Sequence, residues 1–181
     1  MSTNERVSPD AIQQSFGSLR PVRIGLGAAV RHRSVRALNR ILAHSMALRD
    51  LYKKAHWQTS GPGFYGLHMM FDKHYEQQLE LIDALAERVQ ILGGVAIATA
   101  HELTQESRIA RAPDGIQSPI DQLRSLQEAH EFVLNEVRPL AREIAEHGDD
   151  GTSDLLVSGV MRTNEMQAWF IAEHLAGPNV A

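Results

Sequence analysis

Apolar residues recur at helical spacing in four long stretches, separated by glycine and proline breaks. After Ser34, the residues Val35, Leu38, Ile41, Leu42, Leu48, Leu51 and Tyr52 share one side of a helix, because positions three and four apart lie on one face. Ser34 is suited to cap its start, and Gly61-Pro62-Gly63 ends the pattern. A second helix is predicted from Phe64 to Leu92, with Leu67, Phe71, Tyr75, Leu79, Ile82, Leu85, Ala86 and Val89 on its apolar face. Gly93-Gly94 stops it. The connection from Val95 to Gln117 is long for a bundle loop, and Thr99 ahead of AHELTQES predicts a short helix within it. Ser118-Pro119 opens a third long helix that ends near His147-Gly148, with a kink predicted at Pro139. A fourth runs from about Thr152 to Leu175 and carries Leu155, Leu156, Val160, Met166, Trp169, Phe170 and Ile171. No segment alternates as a strand would, so the expected class is all-α.

Residues 1–30 have little apolar periodicity and read as a flexible extension, residues 31–176 as the bundle, and residues 177–181 as a short tail. The single long crossover, holding a short extra helix between the second and third long helices, makes the expected architecture a ferritin-like four-helix bundle. A chain of 181 residues with 43% hydrophobic content fits one compact domain. It has no cysteine, which excludes thiolate metal sites, thiol nucleophiles and disulfides and leaves histidine and carboxylate as strong metal ligands. The N-terminus lacks the pattern of a secretory signal and no run is long enough to span a membrane, so the expected location is the cytoplasm, with no membrane partner. The net charge of −4 is uneven: Arg6, Arg20, Arg23, Arg31 and Arg33 face only Glu5 and Asp10 in the first 34 residues.

Candidate chemistry lies around the Gly-Pro-Gly break. His68 and Asp72 are four apart, as are Asp83 and Glu87, so each pair shares a helical face. The pairs are separated by 15 residues, about 22 Å along a straight helix, whereas a metal holds each ligand at about 2 Å. One helix cannot close such a site. Two copies packed antiparallel about a twofold axis would bring His68 and Asp72 of one chain to Asp83 and Glu87 of the other, with a second identical site generated by symmetry. The turn folds His56 back to the same place. Two imidazoles and three carboxylates suit iron, with zinc as a substitute. The bundle-internal di-iron centre uses Glu-x-x-His pairs, and none of the nine histidines has glutamate three residues before it.

The segment AHWQTSGPGFYGLHMMFDKHYEQQLELIDALAERVQILGG resembles the signature region of the Dps family, the starved-cell DNA-protection proteins or miniferritins. The resemblance extends over about residues 35–176, through HGDDGTSDLL and EMQAWFIAEHL. It implies a dodecameric cage with dinuclear iron centres at twofold interfaces, which oxidise Fe(II) with hydrogen peroxide or dioxygen and store ferric mineral. The family's ligands fall on His56, His68, Asp72, Asp83 and Glu87. The tryptophan beside the family's centre is matched by Trp57, a candidate redox relay, and the acidic pore that admits Fe(II) by Asp149, Asp150 and Asp154. Met69 and Met70 stand where many members carry a nucleating acid, which transfers that role to Glu76 and Glu80. The family's DNA-binding tail is lysine-rich, whereas this tail carries arginine and no lysine before Lys53, so expected DNA binding is weak and salt-sensitive, with nucleoid association as its consequence. The alternative function is DNA compaction with a structural metal site.

Each of these residues also has a plainer reading. His44, His74, His101, His130 and His147 read as surface or packing residues, and His174 as an unassigned one. Asp83 and Glu87 alone would be a solvated face. Only the common register of five ligands favours metal.

Overall fold

The structure is a computed structural model that describes residues 12–176. Glu5, Arg6 and Asp10 of the extension and the tail at 177–181 lie outside the described residues. The elements are α1 (Ala28–Gln58), α2 (Phe64–Ile91), α3 (Ala100–Glu106), α4 (Pro119–Glu146), α5 (Asp150–Asp154), a π-helical segment (Leu155–Met161) and α6 (Arg162–Leu175). Among the described residues there is no strand. α1 packs along α2 and α4, and α4 packs on α6, giving four long helical rods with α5, the π segment and α6 forming the fourth. Helix α4 runs through Pro139.

The predicted start of the first helix is corrected. α1 begins at Ala28 and Ser34 lies inside it, fully buried, donating its hydroxyl to Asp149 Oδ2 at 2.6 Å. The stretch Ala28–Arg33 is rich in good helix formers. Arg31, counted above with the basic tail, is 7% exposed and ties the helix start to Arg20 O and Leu92 O. The carbonyl of Gly93 accepts Arg20 N–H at 2.9 Å and the Gln14 amide at 2.9 Å, so residues 14–20 pack on the end of α2. Gly93 has φ +82°, and a Cβ there would lie 2.6 Å from Arg20 O, which leaves glycine as the residue that fits.

α3 carries the expected start: Thr99 Oγ1 accepts Glu102 N–H while the Glu102 carboxylate accepts Thr99 N–H. Ser118 caps α4 ahead of Pro119. The core contains Leu38, Ile41, Leu42, Leu48, Tyr52, Phe71, Leu85, Val89, Leu126, Val133, Val137, Leu156, Val160 and Ile171.

On α2 the buried stripe differs from the expected one. It runs Leu67, Phe71, His74, Gln78, Leu81, Leu85, Val89, while Leu79 is 38% exposed and Tyr75, Ile82 and Ala86 are half-buried on a neighbouring stripe. The two stripes alternate within one sequence of mixed spacings, and the core-facing one includes two polar residues that a hydrophobicity reading skips. On the last helix Met166, Trp169 and Phe170, expected inside, are exposed in the single chain, whereas Asn164 and Gln167 are buried.

Candidate metal centre

The turn that builds the site is short. Thr59 N–H bonds Ala55 O at 2.8 Å to end α1, and Phe64 N–H bonds Gly61 O at 3.0 Å across the reversal. Gly61 has φ +88°, a conformation that glycine adopts without Cβ strain. The last turn of α1 thereby lies against the second turn of α2. His56 Nδ1 is 2.9 Å from His68 O, and His68 Nδ1 is 2.9 Å from His56 O. The rings stack with centroids 3.7 Å apart and planes at 22°.

This reciprocal pair fixes chemistry as well as position. A carbonyl only accepts, so each Nδ1 carries the proton and each Nε2 presents a bare lone pair. Backbone carbonyls commonly orient metal-binding imidazoles this way. Asp72, one turn beyond His68, brings Oδ1 to 3.8 Å from His56 Nδ1. The sequence reading missed Lys53, whose Nζ lies 2.7 Å from Asp72 Oδ1 and 4.3 Å from the centre of the Tyr75 ring. The Lys53 hydrogen bond, the largest effect, and the Lys53 charge outweigh partial desolvation and hold the Asp72 carboxyl below the usual range. Lys53 is three residues before His56, a spacing that marks it as a neighbour of the site.

Asp83 and Glu87 are exposed on α2, about four turns from His68. Among the described residues of one chain, no group of three His, Asp or Glu forms a closed metal site. His56, His68 and Asp72 make one half of the expected constellation, and Asp83 and Glu87 the other, on the same helix. The surface around the first half is apolar: Trp57 is 73% exposed, Phe64 45%, Tyr65 75% and Met69 52%. Phe64 leans on His68 with ring centroids 5.0 Å apart.

Asp149 is corrected as a pore residue. Its side chain is 0% exposed, accepting from Ser34, Thr152 and Arg88, the last at 2.6 Å. Burial, the largest single effect, raises its pKa, but the hydrogen bonds from Ser34 and Thr152 and the Arg88 charge together hold the carboxyl below its ordinary value. It is the N-cap of α5. Asp150 and Asp154 remain exposed, Asp154 accepting from Ser158 at 2.7 Å. Glu76 and Glu80 are also exposed.

The reading of His44, His74 and His130 as ordinary packing residues understates them. All three are buried, and His74 and His130 join Tyr52, Gln78, Asn164 and Gln167 in a polar cluster inside the bundle. The sequence signal was the set of polar residues at core spacing, such as His74 and Gln78 between Phe71 and Leu81.

A groove of about 920 Å³ between α1, α3 and α4 is lined by Arg33, Arg36, Arg40 and Arg108. Arg33 pairs with Glu143 at 2.6 Å and Arg40 with Glu136 at 3.2 Å, which removes much of its positive field.

Comparison with known proteins follows the same architecture. The Ferritin-like domain family matches residues 35–178. The structure of DpsC from Streptomyces coelicolor superposes with a TM-score of 0.91 at 46% identity, covering 94% of this chain and 99% of that one. An uncharacterized protein in the bpoA2 5′ region of Kitasatospora aureofaciens is 46% identical over 136 residues, 75% of this chain and 91% of that protein. DNA protection during starvation protein 2 of Bacillus anthracis is 32% identical over 142 residues, 78% of this chain and 95% of that protein.

Proposed function

This chain belongs to the Dps family of ferritin-like proteins, and from that premise we propose that it oxidises Fe(II) at centres shared between two copies of itself and stores the ferric product inside a dodecameric cage. The observation that carries the reading is the reciprocal His56–His68 lock, which leaves both Nε2 lone pairs bare, with the Asp72 carboxylate 3.8 Å from His56 Nδ1. Asp83 and Glu87 of a second copy, from the exposed half of α2, complete the ligand set. Fe(II) is the substrate and the cargo; zinc occupies the same ligands as a substitute.

Asp150 and Asp154 concentrate Fe(II) at the pore. Binding displaces Lys53 from Asp72. Hydrogen peroxide then takes one electron from each of two irons, its O–O bond breaks, and two protons complete two waters, so no hydroxyl radical leaves. Dioxygen is the alternative oxidant. Ferric product moves inward to Glu76 and Glu80. The result is protection of DNA and other targets by removal of both Fenton reagents, in the cytoplasm.

The test is anaerobic Fe(II) loading followed by stopped-flow absorbance after peroxide or air is added. Rapid oxidation with about two irons per peroxide, by the electron count of the paired step, supports the reading; oxidation no faster than a protein-free control overturns it.

The second reading is DNA compaction with a structural metal. Exposed Arg20 and Arg23 favour it. Arginine contacts phosphate well, but the net charge of −4 opposes it. A gel shift that collapses with salt and on deletion of residues 1–30, in a shell without oxidation activity, would make this the better account.

A further inference from the structure

Six polar side chains meet inside the bundle: Tyr52 from α1, His74 and Gln78 from α2, His130 from α4, and Asn164 and Gln167 from α6. None is more than 3% exposed. Their hydrogen positions follow from their geometry. Asn164 Nδ2 donates to Val160 O at 2.7 Å, which turns its Oδ1 toward His130 Nδ1, 2.9 Å away. An amide oxygen only accepts, so His130 Nδ1 carries the ring proton and Nε2 is bare. The Tyr52 oxygen lies 2.5 Å from that Nε2, and the phenol has one proton to give. Tyr52 therefore donates to His130. His74 Nδ1, 3.1 Å from the same phenol oxygen, then donates to it.

A buried phenol with its O–H aimed at a bare imidazole nitrogen is arranged to lose an electron and a proton together. Oxidising a phenol without moving its proton leaves a strongly acidic radical cation; an acceptor within hydrogen-bond distance removes that barrier. Burial also holds the resting phenol neutral, with its pKa well above the ordinary tyrosine value. The chain has no cysteine to intercept a tyrosyl radical. Tyr52 is also close to the proposed iron centre. It precedes His56 by one turn of α1, a spacing that puts the two Cβ atoms about 5–6 Å apart.

We propose that Tyr52, with His130 as its proton acceptor, is a redox relay that supplies the second electron when only one Fe(II) faces hydrogen peroxide. This rests on the ferroxidase reading above. Peroxide takes one electron from Fe(II) and one from Tyr52; its O–O bond breaks and two solvent protons complete two waters. The phenolic proton passes to His130 Nε2, leaving a neutral tyrosyl radical beside an imidazolium. A second Fe(II) then returns an electron to Tyr52 while His130 returns the proton. Iron ends ferric, and the residue is restored. Without the relay, a single Fe(II) would convert peroxide into hydroxide and hydroxyl radical.

The test uses the full chain, assembled and anaerobically loaded with limiting Fe(II), then mixed with peroxide and freeze-quenched for electron paramagnetic resonance. The expected result is a transient tyrosyl signal that narrows on incorporation of ring-deuterated tyrosine and disappears in Tyr52→Phe. Hydroxyl-radical spin-trap adducts rise several-fold in that variant. The chain has three tyrosines, so Tyr65→Phe/Tyr75→Phe leaves Tyr52 as the sole source and tests the assignment with the cluster intact. Rapid iron oxidation with no tyrosyl signal in that double variant, or with a signal that survives Tyr52→Phe, overturns the relay and leaves the ferroxidase reading standing. Iron oxidation no faster than the protein-free control overturns both, and the iron absorbance distinguishes the two failures.

Discussion

Lys53 Nζ lies 2.7 Å from Asp72 Oδ1, so the carboxylate nearest the paired histidines already has a cation. Any metal at His56 and His68 competes with that ammonium. The side chains are 27% and 37% exposed, so the pair is screened and worth at most about 1 kcal/mol. Lys53→Met should therefore tighten Zn(II) binding by up to about fivefold, measured by calorimetry on the assembled protein. Unchanged or weaker affinity would mean that the lysine does not hold the ligand closed.

Acid should destabilise the fold well before carboxylates protonate. Burial, the leading cause for each, lowers the pKa of His44 and His74 to about 4 and that of His130 to about 3, against 6.5 for the unfolded chain. Between these values the unfolded state binds more protons than the native one, so stability is complete above pH 6.5 and falls as pH drops through the window. Each histidine contributes up to about 1.4 kcal/mol per pH unit. Asp72 and Asp149, whose pKa values are depressed, add a further loss only below their unfolded value of 3.8. Urea denaturation at pH 7 and pH 5 should show a marked loss, and His44→Gln should flatten that dependence if it folds. A stability unchanged between those pH values would contradict the buried neutral state.

The helices were legible because Gly61-Pro62-Gly63, Gly93-Gly94, Thr99 and Ser118-Pro119 act locally, through glycine freedom, capping and the missing proline N–H. Three features were not. Ser34 resembles a cap, but the surrounding Ala and Arg continue the helix past it, and its hydroxyl is used by Asp149, 115 residues away. Asp149 belongs to an acidic run whose exposure sequence cannot assign; its partners Ser34 and Arg88 come from two other helices. His74 and Gln78 are polar at core positions, and only the facing helices reveal their partners. The closeness of His56, His68 and Asp72 was legible because a tight turn makes their geometry nearly local.

Asp149 and its neighbours separate structure from traffic. Asp149 is fully buried against Arg88, and removing one member of such a pair costs about 3–5 kcal/mol. Asp149→Ala should lower the unfolding midpoint markedly in thermal melts of the intact shell. Asp150→Asn/Asp154→Asn should leave the melt within about 0.5 kcal/mol of wild type, as for exposed sites, while slowing Fe(II) uptake. Equal stability loss in both would mean that all three acids are structural.

The proposed sharing of one centre between two chains predicts a complementation pattern that no single-chain site gives. Asp83→Ala/Glu87→Ala shells and His56→Ala/His68→Ala shells should each assemble and each lose rapid Fe(II) oxidation. In a mixed dimer, the histidines and Asp72 of the first variant meet the intact Asp83 and Glu87 of the second, so one of its two centres is whole. Random pairing makes about half the dimers mixed, and therefore restores about one quarter of the centres. Co-refolded shells should recover roughly that share of the wild-type burst, read by stopped-flow absorbance and normalised to protein. Simple mixing of preassembled shells should recover none. If co-refolding recovers nothing while dimers exchange, Asp83 and Glu87 do not complete the centre of a second chain and the twofold centre is wrong.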